Sequence, residues 1–476
     1  MTHRRLLLSV IPLLITVGCA SILGDFEVTG DPPQGGDEGG TDASADTAAD
    51  TAVNEGGLSD SPDEAGDAGC KVPTGGAILD DAVDVSAGYN NTCAIRQDGA
   101  LYCWGDNNYG QLGVPPATAL ASSKPVKVQF PAAELGNAKI RQVALGQEVA
   151  FAIDEEFRLW AWGSNESGLL AIGSKDSGVH AIPAIVKVGG QPLFTRQIAA
   201  SWFSACALAV TGDIYCWGEN SMGQLGANPP APPEGTPSYA PIKAFSTVAS
   251  PGANAILAGG IGSPATCYFA GSMNDGMRCW GQRSGGIILA NLTSPPQGGV
   301  NYSAHTTLTT AGAAMPYKQV AYGTNYGAAL DNSGRLFSWG YGNNSHQGPG
   351  GPPAPGTAKA TPSGPYLHMA AGYVFTCVVD EQAQVRCRGN NAQSQLGRVT
   401  ANAADEERLD PVVANGMPLT NVRSVHAGFF HACAILRGVC GPEGPGAVKC
   451  WGSGDKGKLG NGAETTSITP VDVKAP

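Results

Sequence analysis

Residues Val85–Gly113 read VSAGYNNTCAIRQDGALYCWGDNNYGQLG. Two short apolar runs, TCAI and ALYCWG, flank Gln97-Asp98-Gly99, and β-type runs about a three-residue loop ending in Gly make a β-hairpin. With that loop Ile95 faces Leu101 and Cys93 faces Cys103. Directly opposed residues have Cβ atoms about 4.5–5.5 Å apart, close to disulfide reach. Trp104 follows Cys103 by one residue, so it turns to the other face of the hairpin. Ile95, Leu101 and the cysteines load one face; Tyr102 and Trp104 load the other. A sheet apolar on both faces must be covered on both, and copies of itself would do that.

The copies follow. Phe151-Ala-Ile…Leu159-Trp-Ala-Trp162-Gly, Cys206-Ala-Leu…Ile214-Tyr-Cys-Trp217-Gly and Cys267-Tyr-Phe…Met277-Arg-Cys-Trp280-Gly repeat the hairpin. So do Ala328-Ala-Leu…Leu336-Phe-Ser-Trp339-Gly, Cys377-Val-Val…Val385-Arg-Cys-Arg388-Gly and Cys433-Ala-Ile…Val448-Lys-Cys-Trp451-Gly. An apolar residue leading to a small one opens most units (Gly88, Gly146, Ser201, Gly323, Gly372, Gly428), and GQLG, QLG or KLG closes several. A Pro-Val run at Pro125, Pro411 and Pro470 reads as the start of the next unit. Seven such units without helical periodicity specify a closed propeller rather than a solenoid.

The pattern Val85-x-x-Gly88…Thr92-Cys-Ala-Ile95…Gly99-x-Leu101-x-Cys103-Trp-Gly105…Gly110-Gln-Leu-Gly113 resembles the repeat of the regulator of chromosome condensation family. The resemblance covers roughly residues 75–476 and implies an all-β, seven-bladed propeller. It implies little about activity, because that family's propellers serve guanine-nucleotide exchange, protein scaffolding, photoreception and, in secreted bacterial members, β-lactamase inhibition. Three units depart from the pattern: the sixth has Arg388 in place of Trp, and the second and fifth replace the cysteine pair by Phe151/Ala161 and Ala328/Ser338. An unpaired buried charge is costly, so Arg388 is expected to reach solvent or to meet a carboxylate.

The chain begins differently. Arg4 and Arg5 precede an apolar run from Leu6 to Val17, which has the length of a signal-peptide core and is too short to span a membrane. Thr16-Val17-Gly18-Cys19 resembles a bacterial lipobox, departing from it at Thr16, and implies that Cys19 becomes a lipidated N-terminus. Ala20 after it implies sorting to the outer membrane. From Glu27 to Gly69 there is no Lys, Arg or aromatic residue. Such an acidic, apolar-poor run cannot offset its ordering entropy by burial, and reads as a tether that spans roughly 40 Å. The expected organisation is a signal peptide at 1–18, the lipidated Cys19 and tether at 19–69, and the propeller at 70–476.

Nearly all of the formal net charge of −12 sits in the tether. The propeller shows no basic excess of the kind nucleic-acid binders carry, so a chromatin-type partner is not expected. Thirteen cysteines fit an oxidising compartment. They disappear from the units only in pairs, which points to hairpin disulfides Cys93–Cys103, Cys206–Cys216, Cys267–Cys279, Cys377–Cys387 and Cys433–Cys450. Cys70, just before the propeller, and Cys440, in an insertion of the last hairpin, remain to bridge each other. The run Thr469-Pro-Val-Asp-Val473 ends the chain without a following hairpin, so it is expected to supply a missing strand to the first blade and close the ring.

Chemistry is sparsely signalled. Gly452-Ser-Gly-Asp-Lys-Gly457-Lys458-Leu459 falls short of a phosphate-binding loop, with Leu459 where Ser or Thr must reach the metal. Ser453-x-Asp455-x-Gly457 matches part of a sialidase Asp-box, a fold marker. His180, His305, His346, His368, His426 and His431 are scattered, and only His426 and His431 are close enough in sequence to suggest a shared metal. No cofactor, metal or catalytic constellation is assigned. The expected function is non-enzymatic binding of a protein or surface ligand by a monomeric propeller, with the membrane reached only through the lipid. Inhibition of an extracellular hydrolase is the alternative, ahead of guanine-nucleotide exchange and of a propeller hydrolase or lyase. The Pro/Gly-rich stretches 227–241, 346–365 and 436–447 are the candidate binding loops.

Overall fold

A computed structural model describes residues 76–226, 235–246, 256–260, 263–269, 277–281, 302–308, 317–324, 326–340, 359–361, 363–400 and 405–476. The signal peptide, Cys19, the tether and Cys70 lie outside the described residues, as does most of the 227–241 and 346–365 stretches.

The quoted stretch folds as a hairpin, with Asn91–Arg96 antiparallel to Leu101–Asp106 and Ile95 opposite Leu101. Gly99 takes φ 81° in the loop, where a Cβ would run into Lys139. A strand before the hairpin, Ala82–Ala87, and one after it, Ala121–Lys127, complete a four-stranded antiparallel sheet. The same order recurs along the chain. The Pro-Val run is therefore the outer strand of its own sheet, and not the opening of the next: Pro125 lies in Ala121–Lys127, Pro411 ends Asp405–Pro411 and Pro470 lies in Ser467–Asp472. Pro lacks an N–H to give a ladder, and an edge strand is where a sheet tolerates it.

Among the described residues the large sheets number six, against the seven separate blades expected: five have four strands and one has eight. The fourth and fifth repeats each keep the four-strand order but share one sheet, because their inner strands, Ile256–Gly260 and Tyr317–Tyr322, pair in parallel at Gly260 and Tyr322. A Cβ on Gly260 would collide with Tyr322, so the missing side chain permits the close approach.

Between sheets the tryptophans do the joining. The indole N–H of Trp162 donates to the Gln111 carbonyl (3.0 Å), Trp217 to Leu169 (2.8 Å), Trp280 to Gln224 (3.1 Å) and Trp451 to Gln395 (3.0 Å). Each acceptor lies in the turn that closes the preceding repeat. Trp104 donates to the Lys458 carbonyl (3.0 Å), which carries the series from the first sheet to the last and round the ring. The apolar clusters follow this geometry. One joins Leu79, Val85, Ala94 and Trp104 to Ile435, Val448, Leu459 and Val473 across the closure.

The C-terminal strand Ser467–Asp472 pairs with Val448–Gly452 in the last sheet, which corrects the expectation that it adds to the first. The first sheet already owns Ala121–Lys127 as its outer strand. Closure comes instead from backbone bonds between the two chain ends: Leu79 N–H to the Val473 carbonyl, Ala475 N–H to Ala77, and Val448 N–H to Leu79.

Arg388 does not reach solvent either. It is 1% exposed, and its guanidinium donates to the hydroxyls of Thr361 (3.2 Å) and Ser338 (3.4 Å). Ser338 stands where most repeats have cysteine, so the missing disulfide of the fifth repeat and the missing Trp of the sixth meet in one seam. Burial pushes the Arg388 pKa down to about 10.

Candidate functional site: the axial channel and its two mouths

The innermost strand of every repeat lines one cavity of about 340 Å³ on the common axis. Strand register makes the lining residues equivalent. Asp84, Gln142 and His368 of that lining occupy one level, and Gln197, Gln319 and Ser424, outside the lining, hold the same register position in their strands. Ser86, Ala144, Ala199, Ala321, Ala370 and His426 occupy the next. The channel is thus polar at one level and narrowed mainly by small side chains at the second.

Burial biases the titratable groups here toward their neutral forms. Burial raises the Asp84 carboxyl to about 7, against the pull of the Val85 amide and of Arg423. Burial, helped by Arg423 and Lys318, lowers His368 to about 4. His426 is lowered well below the usual imidazole range by burial, by His368 and by Arg423. The two rings lie 5.7 Å apart. Nδ1 of His368 accepts from the Val425 amide (3.4 Å), and Nε2 of His426 is 3.0 Å from the Ser424 hydroxyl. That hydroxyl–imidazole contact has the reach of a nucleophile and base, and the charged or titratable groups acting on His426 are His368 and Arg423. His426 partners His368 rather than His431. His431 is buried at the first–last seam, 2.8 Å from the Thr92 hydroxyl. Among the described residues no three His, Cys, Asp or Glu side chains are grouped to hold a metal.

At one mouth, the turns after the inner strands bring aromatic rings together from residues far apart in sequence. Phe429 stacks at 3.9 Å on Tyr373 and lies 4.1 Å from Tyr89 and 6.0 Å from Trp202. Phe430 and Phe203 flank them at 4.4 Å from Phe429 and 5.8 Å from Trp202. Phe203 is 43% exposed, and the buried indole nitrogen of Trp202 has no hydrogen-bond partner. These residues sit directly after the small residue that opens each repeat, as in Gly88-Tyr89, Ser201-Trp202, Gly372-Tyr373 and Gly428-Phe429. That position carried the only signal by which sequence could have found them.

The other sequence-marked residues are structural. The five hairpin disulfides are formed, with Cα atoms 4.0–4.1 Å apart. Cys440 is itself disulfide-bonded, and Cys70 lies outside the described residues. The segment that falls short of a phosphate loop forms the short turn Asp455–Gly457, and the Lys458 ammonium donates to Asn90 (2.9 Å) across the ring closure. His180 pairs with Asp176 at 2.9 Å.

Two family models, each described as the regulator of chromosome condensation (RCC1) repeat, match this chain: one at residues 82–111 and 196–224, the other at 98–153. The chain carries regulator of chromosome condensation repeats. Among similar proteins, the ultraviolet-B receptor UVR8 of Arabidopsis thaliana is 23% identical over 324 residues, 66% of each chain. The human probable E3 ubiquitin-protein ligase HERC6 is 30% identical over 141 residues, 30% of this chain and 13% of the ligase. The chain thus spans just under two thirds of the first relative and a small part of the second. The Saccharomyces cerevisiae protein Prp20p superposes with a TM-score of 0.62 at 20% identity, over 83% of this chain and 88% of that one, which supports the RCC1-repeat propeller fold. The five disulfides fit an extracellular or envelope location, and no described helix is long and apolar enough to cross a membrane.

Proposed function

We propose that this protein is an exported, non-enzymatic binding module that takes a protein partner on its aromatic mouth, held to the outer membrane by a lipid on Cys19 and clear of it by the acidic run 20–69. One observation carries the reading: Tyr89, Trp202, Phe203, Tyr373, Phe429 and Phe430 converge on one face. Clustered aromatics over a rigid sheet scaffold are what protein interfaces use as anchors. The structure described for Prp20p is reported with its binding to Gsp1p and histones, a precedent for protein binding by this fold.

The test is a photo-crosslinking amino acid placed at Phe203 in intact cells, with a second probe at Arg408 on an outer strand. A discrete crosslinked species from position 203 that Trp202→Ala and Phe429→Ala together abolish is the expected result. No adduct at 203, or the same adducts from 408, refutes the aromatic face as the binding surface.

A further inference from the structure

The opposite mouth of the channel is built differently. Six of the seven inner strands, all but that of the fourth repeat, have a β-bulge after the first residue, where the register skips one position. The skipped residues are Val83, Arg141, Arg196, Lys318, Leu367 and Arg423. A bulge re-aims the side chain it carries, and an inner strand of six residues spans roughly 17 Å, so this level lies at the far end of the channel from the aromatic turns. Four of these six positions are cationic. Among the described residues Arg141, Arg196 and Arg423 have no carboxylate within ion-pair distance, although Glu155 acts on Arg141 and Asp84 and Glu443 on Arg423 from farther off, whereas the hairpin arginines Arg96, Arg158, Arg335 and Arg386 each have an aspartate within 2.8 Å. Arg141 lies over the Phe157 ring at 4.6 Å, and its pKa is lowered by burial and then by the neighbouring Arg196 charge. Arg423 gives its donors to the main-chain carbonyls of Val83, Glu443 and Gly444, so it contributes charge while Arg141 and Arg196 keep theirs for a ligand.

We propose that this basic mouth is a docking site for an acidic polypeptide segment. Like charges drawn together around a concave, partly dehydrated opening attract an anionic partner and speed its encounter. The chemistry just inside favours a peptide. The amide of Gln142, which lines the channel, can both donate and accept, which suits backbone N–H and C=O groups, whereas a phosphate needs donors only. Val83 and Leu367, 38% and 43% exposed, flank Arg423 from the first and sixth repeats and offer apolar contact beside the charge. Asp84 is the carboxylate nearest this mouth among the channel-lining residues, and its raised pKa reduces its opposing charge.

The experiment is fluorescence anisotropy with the intact exported protein and a fluorescein-labelled eight-residue peptide of Asp, Glu and Leu, against the same peptide with Asn and Gln in their place. The acidic peptide should bind, more weakly as salt rises, and Arg141→Glu with Arg196→Glu should weaken it roughly tenfold or more. Arg141→Gln with Arg196→Gln serves where charge reversal perturbs folding, and should also weaken binding at an unchanged melting temperature. The same charge reversal at Arg408 and Lys187, on the outside of the molecule, should change it less than twofold. Equal losses from the inner and outer variants would overturn the proposal as non-specific attraction. So would preferential binding of inorganic polyphosphate, sensitive to Arg141 and Arg196, with no binding of the peptide.

Discussion

Lys458 occupies, in the seam between the last sheet and the first, the place that Gln111, Gln224 and Gln395 hold in other repeats. It is 1% exposed, and burial lowers its pKa to about 8, with Asp455 and Asp106 only partly opposing. Below about pH 8 the ammonium is charged in both states, and the folded protein bears the full cost of burying it. Between about 8 and 10.5 the folded state has released a proton that the unfolded chain keeps, so this group makes stability rise with pH. We expect Lys458→Gln to raise the melting temperature at pH 7, and the gap from the parent to shrink as pH approaches 10. The underlying effect is roughly 3 kcal/mol. A gap independent of pH would show that the lysine does not titrate with folding. Arg388 is another buried cation, and here its hydroxyl partners matter. Arg388→Met leaves Ser338 and Thr361 without it and should cost about 1–3 kcal/mol in denaturant titration. Adding Ser338→Ala and Thr361→Val should recover most of that loss, because the coupling is pairwise.

At the scale of the element, the hairpin is the unit that repeats and the disulfide is its staple. Cys93 and Cys103 are separated by ten residues, and closing a loop of that size stabilises by about 2–3 kcal/mol in the chain-entropy model. Cys93→Ala with Cys103→Ala should lower stability by that amount, and adding reductant should not lower it further through this pair. The second repeat manages without the bond: Phe151 and Ala161 face each other there, and the Phe151 ring packs 6.0 Å from Trp217. Hairpin register was legible from Val85–Gly113 alone, since alternation and loop length are local. The bulges were not. A bulge is set by the crowding of inner strands at the axis, and nothing in Ile140-Arg141-Gln142 marks the residue that will be turned outward.

For the whole molecule, closure is the decisive event. Val473 is fully buried, its carbonyl accepts from Leu79, and Lys474 and Ala475 donate to Gly460 and Ala77. Val473→Asp places an unpaired charge in the cluster that joins first sheet to last, so we expect a loss of about 3 kcal/mol or more. Concentration-dependent oligomers should appear in size-exclusion chromatography as the seam opens. Deleting residues 20–66 should change neither property. A Val473→Asp variant that melts with the parent would mean that the tryptophan seams alone hold the ring.

The hairpins, their internal register and the recurrence of the repeat follow from the chain read in order, because each rests on contacts within a few dozen residues and on the two-residue period of a strand. Tertiary structure decided the rest. The Pro-Val runs were legible as strands, but only the available edge assigns each to its own sheet; the C-terminal run stays in the last sheet because the first has no vacant edge. The fourth and fifth repeats share a sheet because Gly260 lets two backbones meet at the axis. Tyr89, Trp202, Tyr373 and Phe429 form one cluster, and Arg141, Arg196, Lys318 and Arg423 one rim, although each repeat supplies a single residue to either. A closed ring converts the same position in successive repeats into a circle of neighbours, and that convergence exists only once the two ends of the chain have met.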